Sequence, residues 1–237
     1  MIKEIIDKLV ALLAVSALLA SCSESELWQN PQTEARDGYI MLNFKTEIPA
    51  MQEVVTRAVD PDGGGVQDMT LFCFDSYGLF ISTVKAGVTV QKPGPGEMEG
   101  TFKAEVPENT RTIHFLANQN MDEFKEDSFR NKSESEVMAV LEGSSGRMIY
   151  WGRFACDAGN DSNIAEQMAT SGNSVKLIRN HARISVDNPD NNGHIVITGF
   201  AVCNTNAFGT VAPHHPKKGF DFTWPSSDDP FVTLPVN

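Results

Sequence analysis

Ile40, Leu42 and Phe44 fall on one side of an alternating segment, Tyr39–Lys45, while Asn43 and Lys45 fall on the other. Successive residues of an extended chain point to opposite faces, so this pattern predicts a half-buried strand. The same signature, short and bounded by Gly, Pro, Asn or Asp, recurs along the chain and constrains its fold more than any other feature. Strands are predicted at Met69–Phe74, Leu79–Val84, Thr101–Val106, Thr112–Ala117, Met148–Trp151, Val175–Val186, Ile195–Val202 and Phe231–Val236. In the third of these, Phe102, Ala104 and Val106 share the inward side. Asp75-Ser76-Tyr77-Gly78 reads as a hairpin turn, and Asp60-Pro61-Asp62-Gly63-Gly64-Gly65 as a loop. One segment departs from the pattern. Ser133 and Glu136 form a capping box ahead of Val137, Met138, Val140 and Leu141, with Gly143 beyond them, which predicts a short helix. The expected fold is all-β, an antiparallel β-sandwich with one short helix.

The N-terminus is built differently. Leu9–Ala20 is an uninterrupted apolar or small stretch preceded by Lys3 and Lys8. It is too short to cross a hydrocarbon core of about 30 Å, but it suits the apolar region of a signal peptide. Glu4 and Asp7 make the segment before it less basic than signals usually are. The stretch ends in Leu19-Ala20-Ser21-Cys22, which resembles a bacterial lipobox. That resemblance implies a lipoprotein signal peptide at 1–21, acylation of Cys22, and attachment to outer-membrane lipid through it. The alternative is an ordinary cleaved signal that happens to contain a cysteine. Ser23-Glu24-Ser25-Glu26 follows at once, similar to tracts that send lipoproteins to the cell surface in some Gram-negative bacteria, or else a solvated tether.

Composition narrows the partners. A net charge of −12 and a pI near 4.8 disfavour nucleic acid and anionic membrane surfaces. Apart from Cys22, the cysteines are Cys73, Cys156 and Cys203, an odd number at unrelated spacings that fits neither a zinc site nor a disulfide framework. Buried free thiols are expected, with a Cys156–Cys203 bridge as the alternative. No G-x-S-x-G elbow or cysteine-nucleophile signature occurs, and Gly63-Gly64-Gly65 and Pro93-Gly94-Pro95-Gly96 lack the context of a phosphate loop. His214-His215 sits in a proline-flanked stretch that reads as exposed loop. Asp187, Asp190, Asp228 and Asp229 lack the spacing of a calcium loop, and turn chemistry accounts for them. Trp28, Trp151 and Trp224 are scattered, so packing is their default role. The sequence predicts no catalytic residue, no cofactor, no metal and no enzyme.

Several segments, in order, resemble the fimbrillin family, the major fimbrial subunits of anaerobic gut and oral bacteria. They are GYIMLNFKTEI at 38–48, VVTRAVD at 54–60, MTLFCFDSYG at 69–78, RTIHFLANQN at 111–120 and VKLIRNHARISV at 175–186. The last, with Arg179, His181, Ala182 and Arg183, is the most specific, and together the matches cover roughly residues 1–212. The resemblance implies a transthyretin-like sandwich and a particular route of assembly. Such subunits are exported as lipoproteins and cut by an arginine-specific surface protease. The cut releases the first strand, and a strand of a neighbouring subunit fills the groove. Here the matching bond is Arg57–Ala58, and the strand removed is Tyr39–Lys45 with its core residues Ile40, Leu42 and Phe44. Arg36 is a second candidate, but a cut there leaves the strand in place.

The residues themselves agree with that route. Between Tyr39–Lys45 and Met69 runs a long loop-like connection, and connections of that length in compact domains are usually functional. Losing the burial of Ile40, Leu42 and Phe44 forfeits about 5 to 9 kcal/mol at about 1.5 to 3 kcal/mol per side chain. The expected organisation is a signal peptide at 1–21, a propeptide at 22–57 holding the removable strand, and an N-terminal sandwich at 58–186. Residues 187–237 then begin an incomplete C-terminal β domain, or pack as a tail on the first. The expected function is a structural subunit of a surface fimbrium that supports adhesion, with other fimbrial subunits as partners. The alternative is a lipid-anchored sandwich that anchors a fimbrium or binds glycans without polymerising.

Overall fold

The computed structural model describes residues 35–47, 66–94, 97–122, 124–144, 148–180, 198–199, 201, 203, 208–215 and 218–223. Twelve strands run among them: β1 Tyr39–Glu47, β2 Met69–Phe74, β3 Phe80–Gly94, β4 Glu97–Pro107, β5 Thr112–Ala117, β6 Glu142–Ser144, β7 Tyr150–Ala155, β8 Ser174–Lys176, β9 Ile178–Arg179, β10 Phe208–Thr210, β11 His214–His215 and β12 Gly219–Phe220. Two short helices, α1 Glu134–Met138 and α2 Ile164–Thr170, and a 3₁₀ turn at Glu126–Phe129 complete the described elements.

Eight strands join in the order β8-β1-β4-β3-β2-β5-β7-β9. All pairings in that sheet are antiparallel except β1 with β8, which is parallel. Two devices fold the sheet over on itself. The long β3 pairs with β2 through Phe80–Ala86 and with β4 through Gly87–Gly94, with a bulge between Val88 and Val90 where it changes layers. At the opposite corner, β8 and β9 are separated only by Leu177, yet they occupy the two ends of the strand order. The sheet is therefore nearly closed into a barrel-like sandwich, all-β as the alternation predicts. Closure brings β7 against β8 so tightly that a Cβ on Gly152 would lie 2.6 Å from the Lys176 carbonyl oxygen. Only glycine fits there.

Inside the sandwich, Ile40, Leu42, Phe44, Phe102, Ala104 and Val106 of one layer meet Met69, Leu71, Cys73, Ile113, Phe115 and Ala117 of the other. Helix α2 closes this core with Ile164, Ala165 and Met168. Strands β2 and β5 are buried along their whole lengths because their outer face is covered too. There Phe72, Phe74, Leu116 and Trp151 pack with Val137 and Met138 of α1 and with Val211 and Ala212. The edge that β3 exposes where it leaves β4 is blocked by Glu126, which accepts from the Thr83 N–H at 2.9 Å and the Thr83 hydroxyl at 3.1 Å.

Several expectations are refined. The Ser133/Glu136 capping box forms and opens α1. The sequence predicts one helix, but α2 is a second, opened by an equivalent box between Asn163 and Glu166. The strand predicted at Val175–Val186 is broken at Leu177, where the chain turns the corner. Residues 181–186, most of 195–202 and all of 231–236 lie outside the described residues. So do 1–34, with the lipobox cysteine Cys22, and 48–65, with Arg57 and Ala58. Cys73, Cys156 and Cys203 are free thiols, the first buried, the second half-buried and the third exposed.

Candidate functional site

The site built around the predicted removable strand begins with side-chain alternation. Along β1, Ile40, Leu42 and Phe44 point inward and are 7%, 1% and 0% exposed. Across the antiparallel pair with β4 they face Val106, Ala104 and Phe102 respectively. Leu42 opposite Ala104 places a large residue against a small one, so the layer fills without a gap. Phe44 is the deepest contact. Its ring stacks on Phe102 with centroids 5.5 Å apart and meets Phe115 of the opposite layer edge-on at 5.0 Å.

The other flank of β1 is held by β8. Lys45, Thr46 and Glu47 register with Ser174, Val175 and Lys176. The Lys45 N–H donates to the Asn173 carbonyl and the Leu177 N–H to the Glu47 carbonyl, both at 2.8 Å. Asn173 is delivered by the turn that ends α2, where Gly172 and Asn173 take φ values of 78° and 53°. Thr46 is fully buried between the two neighbouring strands. The alternation predicts an end at Lys45, but these partners carry the strand to Glu47. No local pattern in β1 announces a parallel neighbour formed from residues far along the chain.

From Val66 onward the described chain is held firmly. Val66 is 4% exposed and sits in the inner core. Asn118, buried and at φ 61°, gathers the next residues: its side-chain oxygen accepts from the Gln67 N–H at 2.8 Å, and its amide nitrogen donates to the Met148 carbonyl at 3.1 Å. Its backbone N–H also donates to the Asp68 carboxylate at 3.0 Å. Arg36, ahead of β1, pairs with Glu105 at 2.7 Å and lies 4.2 Å from the centre of the Tyr39 ring. It stands at the Tyr39 end of the strand, opposite the Glu47 end.

The two chain ends flanking residues 48–65 emerge at the same end of the sandwich. Glu47 lies opposite Lys176 in β8, and three residues on Arg179 lies opposite Tyr150. Tyr150 in turn lies opposite Ala117, and Ala117 opposite Met69. The gap to be bridged is a sandwich thickness of about 10 Å plus at most a few strand spacings of about 4.8 Å. Residues 48–65 could reach roughly 60 Å if extended.

No family model, curated protein or solved structure matches this chain. The site must be read from its own chemistry. Among the described residues, no three His, Cys, Asp or Glu side chains gather as a metal ion requires. Burial pushes the Cys73 thiol up to about 12, so it is no nucleophile. His214 packs edge-on against Phe220 at 4.9 Å, and Trp151 is buried, while Trp28 and Trp224 lie outside the described residues. Withdrawing β1 would leave the registered edge of β4, the edge of β8 and an apolar floor of Phe102, Phe115 and Val106, a slot that fits one extended strand.

Proposed function

We propose that this protein is a structural subunit of a bacterial surface fimbrium, exported as a lipoprotein precursor through Cys22. A surface protease cuts it after Arg57, and it polymerises when a strand of a neighbouring subunit takes the place of β1. Its work is structural and adhesive rather than catalytic. The observation that carries this reading is the position of β1. It is paired with β4 along its length and with β8 over Lys45–Glu47, and is buried along its apolar face, yet it joins β2 only through a segment far longer than the gap requires. A single cut in that segment converts a covalent strand into a removable one. The clamp at Val66–Asp68 keeps the rest of the sandwich fixed beyond the cut.

The reading is tested by treating the purified precursor with an arginine-specific protease and sequencing the new N-terminus. The expected product starts at Ala58. It should bind a synthetic Tyr39–Glu47 peptide once its own strand is displaced, and should form laddered oligomers with complementary subunits. A cut product that keeps its β1 permanently, binds no strand and stays monomeric would overturn the proposal.

A further inference from the structure

A polar network lies buried on the outer face of β5 and β7, away from the β1 groove. His114 occupies the middle of β5 and is 0% exposed. Its Nδ1 lies 3.0 Å from the Trp151 Nε1, which can only donate, so Nδ1 accepts and the ring proton sits on Nε2. Nε2 donates to the Glu134 Oε2 at 2.7 Å. Arg153 grips the same carboxylate, Nε to Oε2 at 2.7 Å and Nη2 to Oε1 at 3.1 Å. Each polar atom of the imidazole therefore has a partner, in the neutral form.

The lid of this network is formed by residues 208–215 and 218–223. Phe222 meets His114 edge-on at 4.7 Å and lies 6.3 Å from Trp151, and the Arg153 guanidinium stands 5.6 Å from its ring centre. Phe220 stacks on Phe222 at 5.7 Å, and His214 meets Phe220 edge-on. The backbone of this segment is tied weakly to the sandwich. β11 pairs with β12, and β10 with the short β6, while none of the three joins the eight-stranded sheet. Ring contacts and the burial of Val211 and Ala212 hold it in place.

We propose that the Trp151–His114–Glu134–Arg153 network is an acid-operated latch: protonation of His114 releases residues 208–215 and 218–223 from the outer face of β5 and β7 while the sandwich beneath stays folded. A second proton can enter the ring only at Nδ1. That atom faces the Trp151 N–H, so the imidazolium and the indole would oppose two donors across 3.0 Å. One of the two rings must move, and Phe222 rests on both. The charged groups around His114 are Glu134 of α1 and Arg153 of β7. Arg153 already engages both carboxylate oxygens, so the imidazolium gains only a share of that charge. From the lid, Asp221 stands next to Phe222, its carboxylate accepting from the Thr223 N–H at 3.0 Å. Burial holds His114 below its usual range, with Glu134 opposing in part, so the neutral ring is the resting state. Ile113 and Phe115, its neighbours in β5, face the inner core and do not share the network.

Hydrogen exchange of the full chain read by mass spectrometry at pH 7 and pH 5, with rates corrected for intrinsic chemistry, tests the latch. Amides of 208–215 and 218–223 should lose about tenfold or more of their protection on acidification, while Met69–Phe74 and Thr112–Ala117 stay strongly protected at both pH values. Trp151→Phe removes the opposed donor and keeps the ring, and should flatten the response. Phe222→Ala should open the segment already at pH 7 while the backbone amides of β2 and β5 stay protected. Unchanged protection of 208–215 and 218–223, loss of protection everywhere at once, or a full acid response in Trp151→Phe would each overturn the proposal.

Discussion

Phe44 lies nearly flat on Phe102, ring planes 17° apart, across the pair that joins β1 to β4. This contact, with Phe115 edge-on behind it, is where β1 is bound most tightly to the sandwich. Phe44→Ala should therefore destabilise the uncut chain by about 3 to 5 kcal/mol, the range for removing a buried aromatic. Asn43→Ala, one residue away on the other face, should shift stability by less than about 0.5 kcal/mol. Urea unfolding of the two variants checks the difference. An equal effect would mean that β1 is held by its backbone partners rather than by its apolar face.

How far the sequence reveals this fold depends on whether a strand's reasons are local. Met69–Phe74 and Thr112–Ala117 are legible to the residue, because short runs rich in β-branched and aromatic residues are bounded by turn signals. β3 is not. The pattern predicts an end at Val84, but the strand crosses Gly87 and a bulge to serve two layers, and only the partner strands dictate that. β7 runs on to Ala155, where Arg153, polar and unpromising in a core strand, finds Glu134 of α1 on the outer face. Helix α2 was legible after all, since Asn163 and Glu166 carry the same capping signature as Ser133 and Glu136. The apolar face of β1 can be read directly, whereas Asn118 and Asn173, which fix the chain on either side of it, carry no signal beyond being asparagines able to take positive φ.

Gly152 sits where β7 passes the β8–β9 corner. Besides the Lys176 carbonyl at 2.6 Å, an added Cβ would meet Leu177 at 2.8 Å and Val175 at 3.1 Å. Two of these neighbours belong to the layer-closing turn and cannot retreat without opening the corner. Gly152→Ala should cost about 1 to 3 kcal/mol as an overpacked site. Gly87→Ala, whose nearest neighbour is 3.8 Å away, should leave the melting temperature unchanged or slightly raised. Differential scanning calorimetry of both variants distinguishes a steric demand from a general preference for glycine.

Acid should weaken the fold through Glu134. Burial alone would raise its carboxyl, but hydrogen bonds from His114 and Arg153 outweigh that and hold it at about 2. Its folded value is thus below the unfolded one of 4.5, so its stabilisation is present above about 4.5 and is lost as pH falls toward 2. His114, lowered from 6.5 by burial, adds a loss of the same sign that begins as pH drops below 6.5. Urea midpoints measured from pH 7 to pH 3 should fall throughout. In Glu134→Gln the midpoint should start lower at pH 7 and fall less steeply below pH 4.5. A parallel decline in both proteins would place the acid sensitivity elsewhere.

Asn118 ties the start of β2 to the loop before β7, and its conformation explains why an asparagine stands there. At φ 61° an L-residue other than glycine, asparagine or aspartate pays a steric cost, and only a side chain with both a donor and an acceptor can serve Gln67 and Met148 together. Asn118→Gly keeps the conformation and loses the bonds, and should cost about 1 to 2 kcal/mol. Asn118→Ala loses both, and should cost about 1 kcal/mol more. The order matters for assembly as well as stability. If the chain is cut after Arg57, the new N-terminal stub is anchored at Val66–Asp68, and Asn118 is what keeps Val66 in the inner core that β1 also lines while β1 leaves. A cut Asn118→Ala protein should therefore bind a Tyr39–Glu47 peptide more weakly than the cut parent, as isothermal titration of each would measure. Equal affinity would show that the clamp stabilises the fold but does nothing for the groove.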